Sequence, residues 1–99
     1  MEITRVEIIP IKPKNGMIGF ATVELDGCLL LNGIAIHAKI GGGFRLTYPQ
    51  RKTSYAIYEI FRPCNREFSQ LMEKHICSKA EKVLMVGFEN YDEELNDGQ

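Results

Sequence analysis

Several features that would assign this 99-residue chain to a functional class are scarce or lacking. No apolar run approaches the roughly 20 residues that a membrane-spanning helix needs, and the first residues do not open a basic-then-apolar export signal. The three cysteines, Cys28, Cys64 and Cys77, form an odd set without a repeated spacing, which argues against a disulfide framework and favours packing roles. We therefore expect a cytoplasmic protein without a membrane partner.

Groups of residues that could perform catalysis are also lacking. His37 is predicted in a strand and His75 beside the apolar stripe of a helix, where packed histidines are more common than catalytic bases. Cys64, His75 and Cys77 match no four-ligand zinc spacing, and no carboxylate pair stands out. We expect no enzymatic activity, no metal, no cofactor and no small-molecule substrate.

Acidic residues are distributed unevenly along the chain. The formal net charge is −1, but residues 89–99 hold five of the 13 acids and no base, which leaves residues 1–88 with a net charge of +4. We predict a single domain over residues 1–88 and an acidic, disordered tail over residues 89–99. A second hypothesis for the tail is that it competes with nucleic acid for the basic surface.

Apolar alternation predicts strands over residues 3–11, 17–25, 28–40, 44–48 and 55–61. Asn15-Gly16 and Asp26-Gly27 predict tight hairpin turns. The triple glycine at residues 41–43 predicts a connection, since the Lys-Ser/Thr of a phosphate-binding loop does not follow it. The apolar phase of the first strand changes between Ile8 and Ile9, which predicts a bulge or an edge position, and Pro10 also favours an edge.

A helix is predicted after Asn65, a suitable N-cap residue. Glu67 in its first turn and Lys79 and Lys82 in its last complement the helix dipole. Its apolar positions recur every three or four residues and comprise Phe68, Leu71, Met72, Ile76, Ala80 and Val83. The predicted class is α+β, with an antiparallel sheet of four or five strands followed by one main C-terminal helix. Because one helix covers only part of one sheet face, we predict a homodimer that forms through the sheet.

Basic residues are concentrated in the middle of the chain. Six of the 12 bases lie between Lys39 and Arg66, together with a single acid, Glu59. The tightest pair, Arg51-Lys52, is predicted in the turn of a hairpin formed by residues 44–48 and 55–61, which would hold both cations out towards phosphate. The predicted nucleic-acid-binding residues are Lys39, Arg45, Gln50, Arg51, Lys52, Arg62 and Arg66.

Two explanations of this basic region stay open. Tyr48, Tyr55 and Tyr58 flank the basic turn and either stack on nucleic-acid bases or only pack their rings within strands. The charges themselves either contact phosphate or form a solvated surface that protects a sheet edge. A basic patch beside a free β edge also suits an acidic protein partner, which is the alternative to nucleic acid.

Three segments together resemble the bacterial SpoVG family, stage V sporulation protein G. They are residues 20–26 (FATVELD), 43–53 (GFRLTYPQRKT) and 62–65 (RPCN), and their order and spacing carry the resemblance. It implies a small dimeric α+β protein that binds DNA, and RNA in some members, and that regulates sporulation, septation or virulence gene expression. The family's basic pair falls on Arg51 and Lys52.

The chain departs from the family pattern at several positions. The basic pair occurs in reversed order, which matters wherever bidentate contact requires arginine. Asn32-Gly33 stands where the family usually has His-Asp, the loop after Lys52 is shortened, and Arg62 and Cys64 replace the residues around Pro63. The resemblance therefore implies binding of nucleic acid more strongly than it implies one biological pathway.

Overall fold

Four strands form an antiparallel sheet in which each strand pairs with its neighbour in sequence. They are β1 (Ile3–Lys14), β2 (Met17–Leu25), β3 (Leu29–Ala38) and β4 (Phe44–Thr47), in the order β1-β2-β3-β4. Two short strands, β5 (Gln50–Lys52) and β6 (Ile57–Glu59), form a separate ribbon, and α1 (Arg66–Ala80) follows, continued by a π-helical segment, Glu81–Met85. The predicted α+β class, an antiparallel sheet followed by one helix, is confirmed.

The computed structural model describes residues 1–85. The predicted domain boundary after residue 88 and the predicted acidic tail over residues 89–99 lie outside the described residues. No helix within residues 1–85 is long and apolar enough to cross a membrane.

Both predicted hairpin turns are present, and they set the register of β2. Asn15 and Gly16 have φ values of 53° and 85°, and Asp26 and Gly27 have φ values of 52° and 65°, as type I′ turns require. The Asp26 carboxylate also accepts a hydrogen bond of 2.7 Å from the backbone N–H of Glu2. The second turn is thereby tied to the start of β1.

The hydrophobic core lies between one face of the sheet and α1. The sheet contributes residues of β2 and of the middle of β3, and the helical region contributes most of its predicted apolar stripe. The buried residues of this core are Ile18, Ala21, Val23, Leu25, Ile34, Ile36, Met72, Ile76, Ala80 and Leu84. Leu71, which was predicted in the stripe, is 37% exposed at its edge. Asn65 caps the helix as predicted, accepting a hydrogen bond of 2.7 Å from the N–H of Phe68.

Gly19 lies where the backbone of β1 approaches β2 closely, beneath the end of the helical region. A Cβ atom at this position would lie 3.0 Å from the carbonyl oxygen of Ile9 and 3.6 Å from the methyl groups of Leu84. Close approach of another backbone is a characteristic reason for glycine within a strand. A side chain at position 19 would therefore crowd the backbone of β1, whereas Leu84 would stay at an ordinary contact distance.

The first strand is an edge strand, as predicted, but it has no bulge between Ile8 and Ile9. These residues pair consecutively with Ala21 and Phe20, and the register shifts occur nearer the two ends of β1. Ile9 instead lies on the sheet face away from α1, where it is 52% exposed. The apolar pattern breaks here because Ile9 is an apolar residue on the uncovered face of the sheet, and not because the strand contains an extra residue.

The third strand bends at Gly33 but ends earlier than predicted. Gly33 has φ of 83°, and the pairing of β3 with β2 changes register around it. The strand stops at Ala38, so Ile40 is fully exposed instead of facing the core. All three glycines of residues 41–43 have positive φ, which agrees with the predicted connection.

The cysteines are free thiols, but only one of them has a packing role. Cys77 is half-buried on α1, whereas Cys28 and Cys64 are exposed. The prediction that all three are packing residues was wrong for the latter two. Cys28 follows the turn at Gly27 and Cys64 follows Pro63, and in both places the chain runs over the surface.

Candidate nucleic-acid interface

The basic pair Arg51-Lys52 lies in a strand and not in a turn. β4 pairs with β3, while β5 pairs separately with β6, with Arg51 opposite Tyr58 and Lys52 opposite Ile57. The prediction that residues 44–48 and 55–61 form one hairpin with the basic pair at its turn was therefore wrong. Pro49 separates β4 from β5, because proline has no N–H to continue the ladder of the sheet.

The turn of the ribbon is formed by residues 53–56 and is organised by Thr53. Its hydroxyl oxygen accepts hydrogen bonds from the N–H groups of Tyr55 and Ala56, at 3.3 and 3.1 Å. The N–H of Thr53 donates to the carbonyl oxygen of Ala56 at 2.9 Å. A threonine side chain thus satisfies the short loop locally, as turn-forming hydroxyls do, and fixes the ribbon's end.

No residue of β5 or β6 is buried. Since side chains alternate along a strand, Gln50 and Lys52 lie on one face of the ribbon, and Arg51 lies on the other face with Tyr58. The ribbon also exposes large aromatic and aliphatic side chains. Tyr55 is 95% exposed and Ile57 is 59% exposed. The ribbon is held by backbone pairing and carries a cation on each face.

Arg62 is neutralised by the single acid of the basic region. Its Nε donates to the Glu59 carboxylate at 2.6 Å, and its Nη1 donates to the carbonyl oxygen of Pro63 at 3.4 Å. The hydrogen bond and the charge of Glu59 raise the pKa of Arg62. Arg62 therefore contributes less to an anion-binding surface than its charge alone suggests.

The remaining predicted cations lie on three different parts of the fold. Arg45 lies opposite His37 on the sheet face away from α1, where burial and the charge of Arg45 lower the pKa of His37. Lys39 lies in the connection after β3, and its charge opposes the rise that burial and Glu73 cause in the pKa of Cys77. Arg66 opens α1, eleven residues before Cys77 and about 16 Å away along the helix axis. Lys39, Arg45 and Arg66 thus lie on a connection, a strand and a helix end, whereas Arg51 and Lys52 lie on the ribbon.

The tyrosines divide between packing and exposure. Tyr48 packs edge-on against Phe61, with ring centroids 6.1 Å apart, and its buried hydroxyl has no hydrogen-bond partner within residues 1–85. Burial, followed by the charges of Glu73 and Cys77, raises the pKa of Tyr48 to about 12. Tyr48 is thus a packing residue, whereas Tyr55 and Tyr58 have accessible rings.

A second basic surface, which sequence analysis missed, lies between β1 and α1. Three lysines of the helical region, Lys74, Lys79 and Lys82, line a groove whose other wall is the start of β1. From the sequence, Lys79 and Lys82 were interpreted only as partners of the helix dipole. The signal that could have revealed the groove is the recurrence of basic and small polar residues along one side of the helix.

Comparison with known proteins identifies the family of this chain. A family model described as SpoVG matches residues 1–82. The chain belongs to the SpoVG family. The match spans the sheet, the ribbon and the whole of α1, so the basic pair Arg51-Lys52 lies within the region of family similarity.

Similar proteins carry the name "putative septation protein SpoVG". One from Phytoplasma australiense is 32% identical over 97 residues, which cover 97% of this chain and all of the relative. Relatives from Treponema denticola and Caldicellulosiruptor saccharolyticus are each 30% identical, covering 90% and 88% of this chain and 97% and 99% of their own lengths. This SpoVG-family chain therefore matches these relatives over nearly their entire length.

Proposed function

We propose that this SpoVG-family protein is a regulator that binds nucleic acid through the β5–β6 ribbon. The observation that carries the proposal is the exposure of Arg51 and Lys52 on an element without buried residues, with no carboxylate paired to either cation within residues 1–85. Cations free to exchange counterions for phosphate supply most of the affinity of non-specific binding. DNA is the proposed ligand, and RNA is the alternative to be compared with it.

The two-faced ribbon suits a groove of the duplex. A two-stranded β-ribbon fits the major groove of B-DNA, and such a ribbon would present Arg51 to the phosphates on one side and Lys52 to those on the other. Gln50 lies on the same face as Lys52, and its amide can hydrogen-bond to base edges. Lys39, Arg45 and Arg66 contribute to the wider positive field that attracts a polyanion rather than to this contact.

The proposal includes a homodimer that forms through the sheet. The face away from α1 carries a cross-strand row of Ile9, Phe20 and Ala35, and Leu30 on β3 is 50% exposed. Burying this face between two copies would remove apolar surface from water and bring two ribbons into one molecule. Sedimentation equilibrium at micromolar concentration tests the dimer, and a monomer would contradict it.

The name of the relatives supports the proposed biological setting. Their name refers to septation, and we extend that role to this chain as a cytoplasmic regulator of transcription without enzymatic activity.

A salt titration tests the ribbon contact. Arg51→Ala/Lys52→Ala should lower affinity for duplex DNA and reduce the slope of log K against log salt by about 2, because two phosphate contacts are lost. Fluorescence anisotropy between about 50 and 200 mM NaCl measures both quantities, with single-stranded DNA and RNA run in parallel. The control is Lys12→Ala/Lys14→Ala, which removes the same charge near the β1–β2 turn. Equal effects of the two variants would contradict the ribbon contact.

A second candidate function is binding of an acidic protein partner. It is favoured by the exposure of Ile57 and Ile60 beside the cations, at 59% and 57%, since apolar side chains contribute little to phosphate contact and much to protein interfaces. Pull-down before and after nuclease treatment separates the two functions. A partner that is retained after nuclease supports the protein interface.

A further inference from the structure

The groove between β1 and α1 lies at the opposite edge of the sheet from the ribbon. β1 is one edge strand and β4 the other, so about three strand spacings, roughly 14 Å, separate them. The ribbon follows β4 along the chain, whereas the groove is formed against β1. Its lining residues are Ile3, Thr4, Arg5, Val6, Lys74, His75, Ser78, Lys79 and Lys82, and its volume is about 490 Å³.

The charge of the groove comes from its lysines. Lys74, Lys79 and Lys82 are exposed, none of them forms an ion pair within residues 1–85, and no acidic residue lines the groove. Arg5 is already engaged, with its guanidinium 3.1 Å from Glu7 and 3.8 Å from Glu24. Three lysines therefore line one cleft without compensation from a described carboxylate.

The opposite wall of the groove supplies hydrogen-bond donors, and its one charged lining residue, Arg5, is already paired with carboxylates. Within residues 1–85, β1 pairs only with β2 in the sheet, so its outer edge presents backbone groups without a described strand partner. Ser78 adds a hydroxyl on the helix wall. Hydroxyls and backbone N–H groups are common phosphate contacts in nucleic-acid complexes, and lysine binds phosphate as a point charge.

The lysines are spaced along the groove rather than around one point. Lys74 and Lys82 are eight residues apart, which corresponds to about 12 Å of helix axis. One strand of B-DNA presents a phosphate about every 3.4 Å along its axis, so a groove of this length can contact more than one phosphate. A linear array of cations in an open cleft suits a polymer backbone better than a single small anion.

We infer that the groove between β1 and α1 is a second binding site for the phosphodiester backbone of nucleic acid, remote from the ribbon. The inference rests on the proposed function, because it assigns the same ligand to a second surface. A nucleic acid long enough to reach both edges of the sheet contacts both surfaces. Affinity should therefore depend on length beyond what the ribbon alone occupies.

The test compares two variants that each remove two lysines. Lys74→Gln/Lys82→Gln should weaken binding to a long labelled DNA duplex by on the order of tenfold and reduce the salt slope by about 2. Lys12→Gln/Lys14→Gln removes the same charge outside the groove and serves as the control. Circular dichroism checks that both variants fold, and NMR of the unaltered protein provides a second measurement, with backbone amide shifts expected at Thr4 and Ser78 upon DNA addition.

The outcomes separate the two proposals. Equal affinities of the groove variant and its control, or unmoved amides at Thr4 and Ser78, overturn the groove while a loss in Arg51→Ala/Lys52→Ala still supports the ribbon. A loss in the groove variant with an unchanged ribbon variant supports the groove and contradicts the ribbon contact. Absence of DNA binding by the unaltered protein overturns both.

Discussion

The four-stranded sheet with its helix and the β5–β6 ribbon are built on different principles. The first has ten residues in a single buried cluster, five of which are Ile18, Val23, Ile34, Ile36 and Met72. The second has no buried residue and depends on backbone pairing between two strands of three residues each. Stability and ligand binding are therefore expected to be separable by mutation, since the residues that hold the fold are not those that face the ligand.

The largest expected effect on stability is in the four-stranded sheet with its helix, here called the body of the protein. Met72→Ala should lower the free energy of unfolding by about 2–5 kcal/mol, because it removes a fully buried side chain between α1 and the sheet. Urea denaturation measures the loss. Leu71→Ala, on the same helix but at a position that is 37% exposed, is the control and should cost clearly less. Equal losses would mean that α1 packs differently.

A smaller effect, of opposite sign, is expected where the body meets the ribbon. Tyr48→Phe removes a buried hydroxyl that has no hydrogen-bond partner within residues 1–85, so we expect stability to be unchanged or to rise by about 1 kcal/mol. Thermal denaturation at neutral pH measures it. A decrease in the free energy of unfolding by more than about 1 kcal/mol would show that the hydroxyl has a hydrogen-bond partner and stabilises the fold.

At alkaline pH, the stability of Tyr48→Phe should depend less on pH than the stability of the unaltered protein. The Tyr48 pKa is about 12 in the folded state and about 10 in an unfolded chain, so the unfolded state releases its proton first. Stability that is present below pH 10 is therefore lost as the pH rises towards 12. Tyr48→Phe should lose less stability over this range, and a parallel pH dependence would contradict the assignment.

The smallest expected effect is in the ribbon. Arg51→Ala/Lys52→Ala should change the free energy of unfolding by less than about 0.5 kcal/mol, because both side chains are exposed and unpaired within residues 1–85. Urea denaturation of the variant used for the binding titration provides the measurement. A large loss of stability would erase the contrast between the two regions.

The fold was predictable where local chemistry and burial agree. Asn15-Gly16 and Asp26-Gly27 indicated their turns because few residue pairs tolerate two positive φ values, and the stripe through Met72 and Ile76 indicated the covered sheet face. The ribbon was mispredicted because residues 44–48 alternate equally well whether they pair with β3 or with residues 55–61. Alternation identifies a strand and its faces, but it does not choose the partner.

The candidate site was predictable only in part. The exposure of Arg51 and Lys52 follows from their charge, but the orientation of Lys39, Arg45 and Arg66 depends on which element and face each occupies. The ion pair of Arg62 with Glu59 could have been anticipated from their closeness in sequence. The basic side of α1 could have been anticipated from the recurrence of its lysines, but the β1 wall of the groove could not, because that strand and the lysines opposite it are some 70 residues apart and meet only through helix packing.

The neighbour-to-neighbour order of the sheet has a consequence for how the chain folds. Pairings between adjacent strands have low contact order and form quickly, so the meander can assemble hairpin by hairpin as the polypeptide leaves the ribosome. Met72, Ile76 and Ala80 are synthesised last among these elements, and until then Ile34 and Ile36 have no cover. The nascent sheet is therefore exposed to aggregation during this interval, and translation speed through α1 sets how long it lasts.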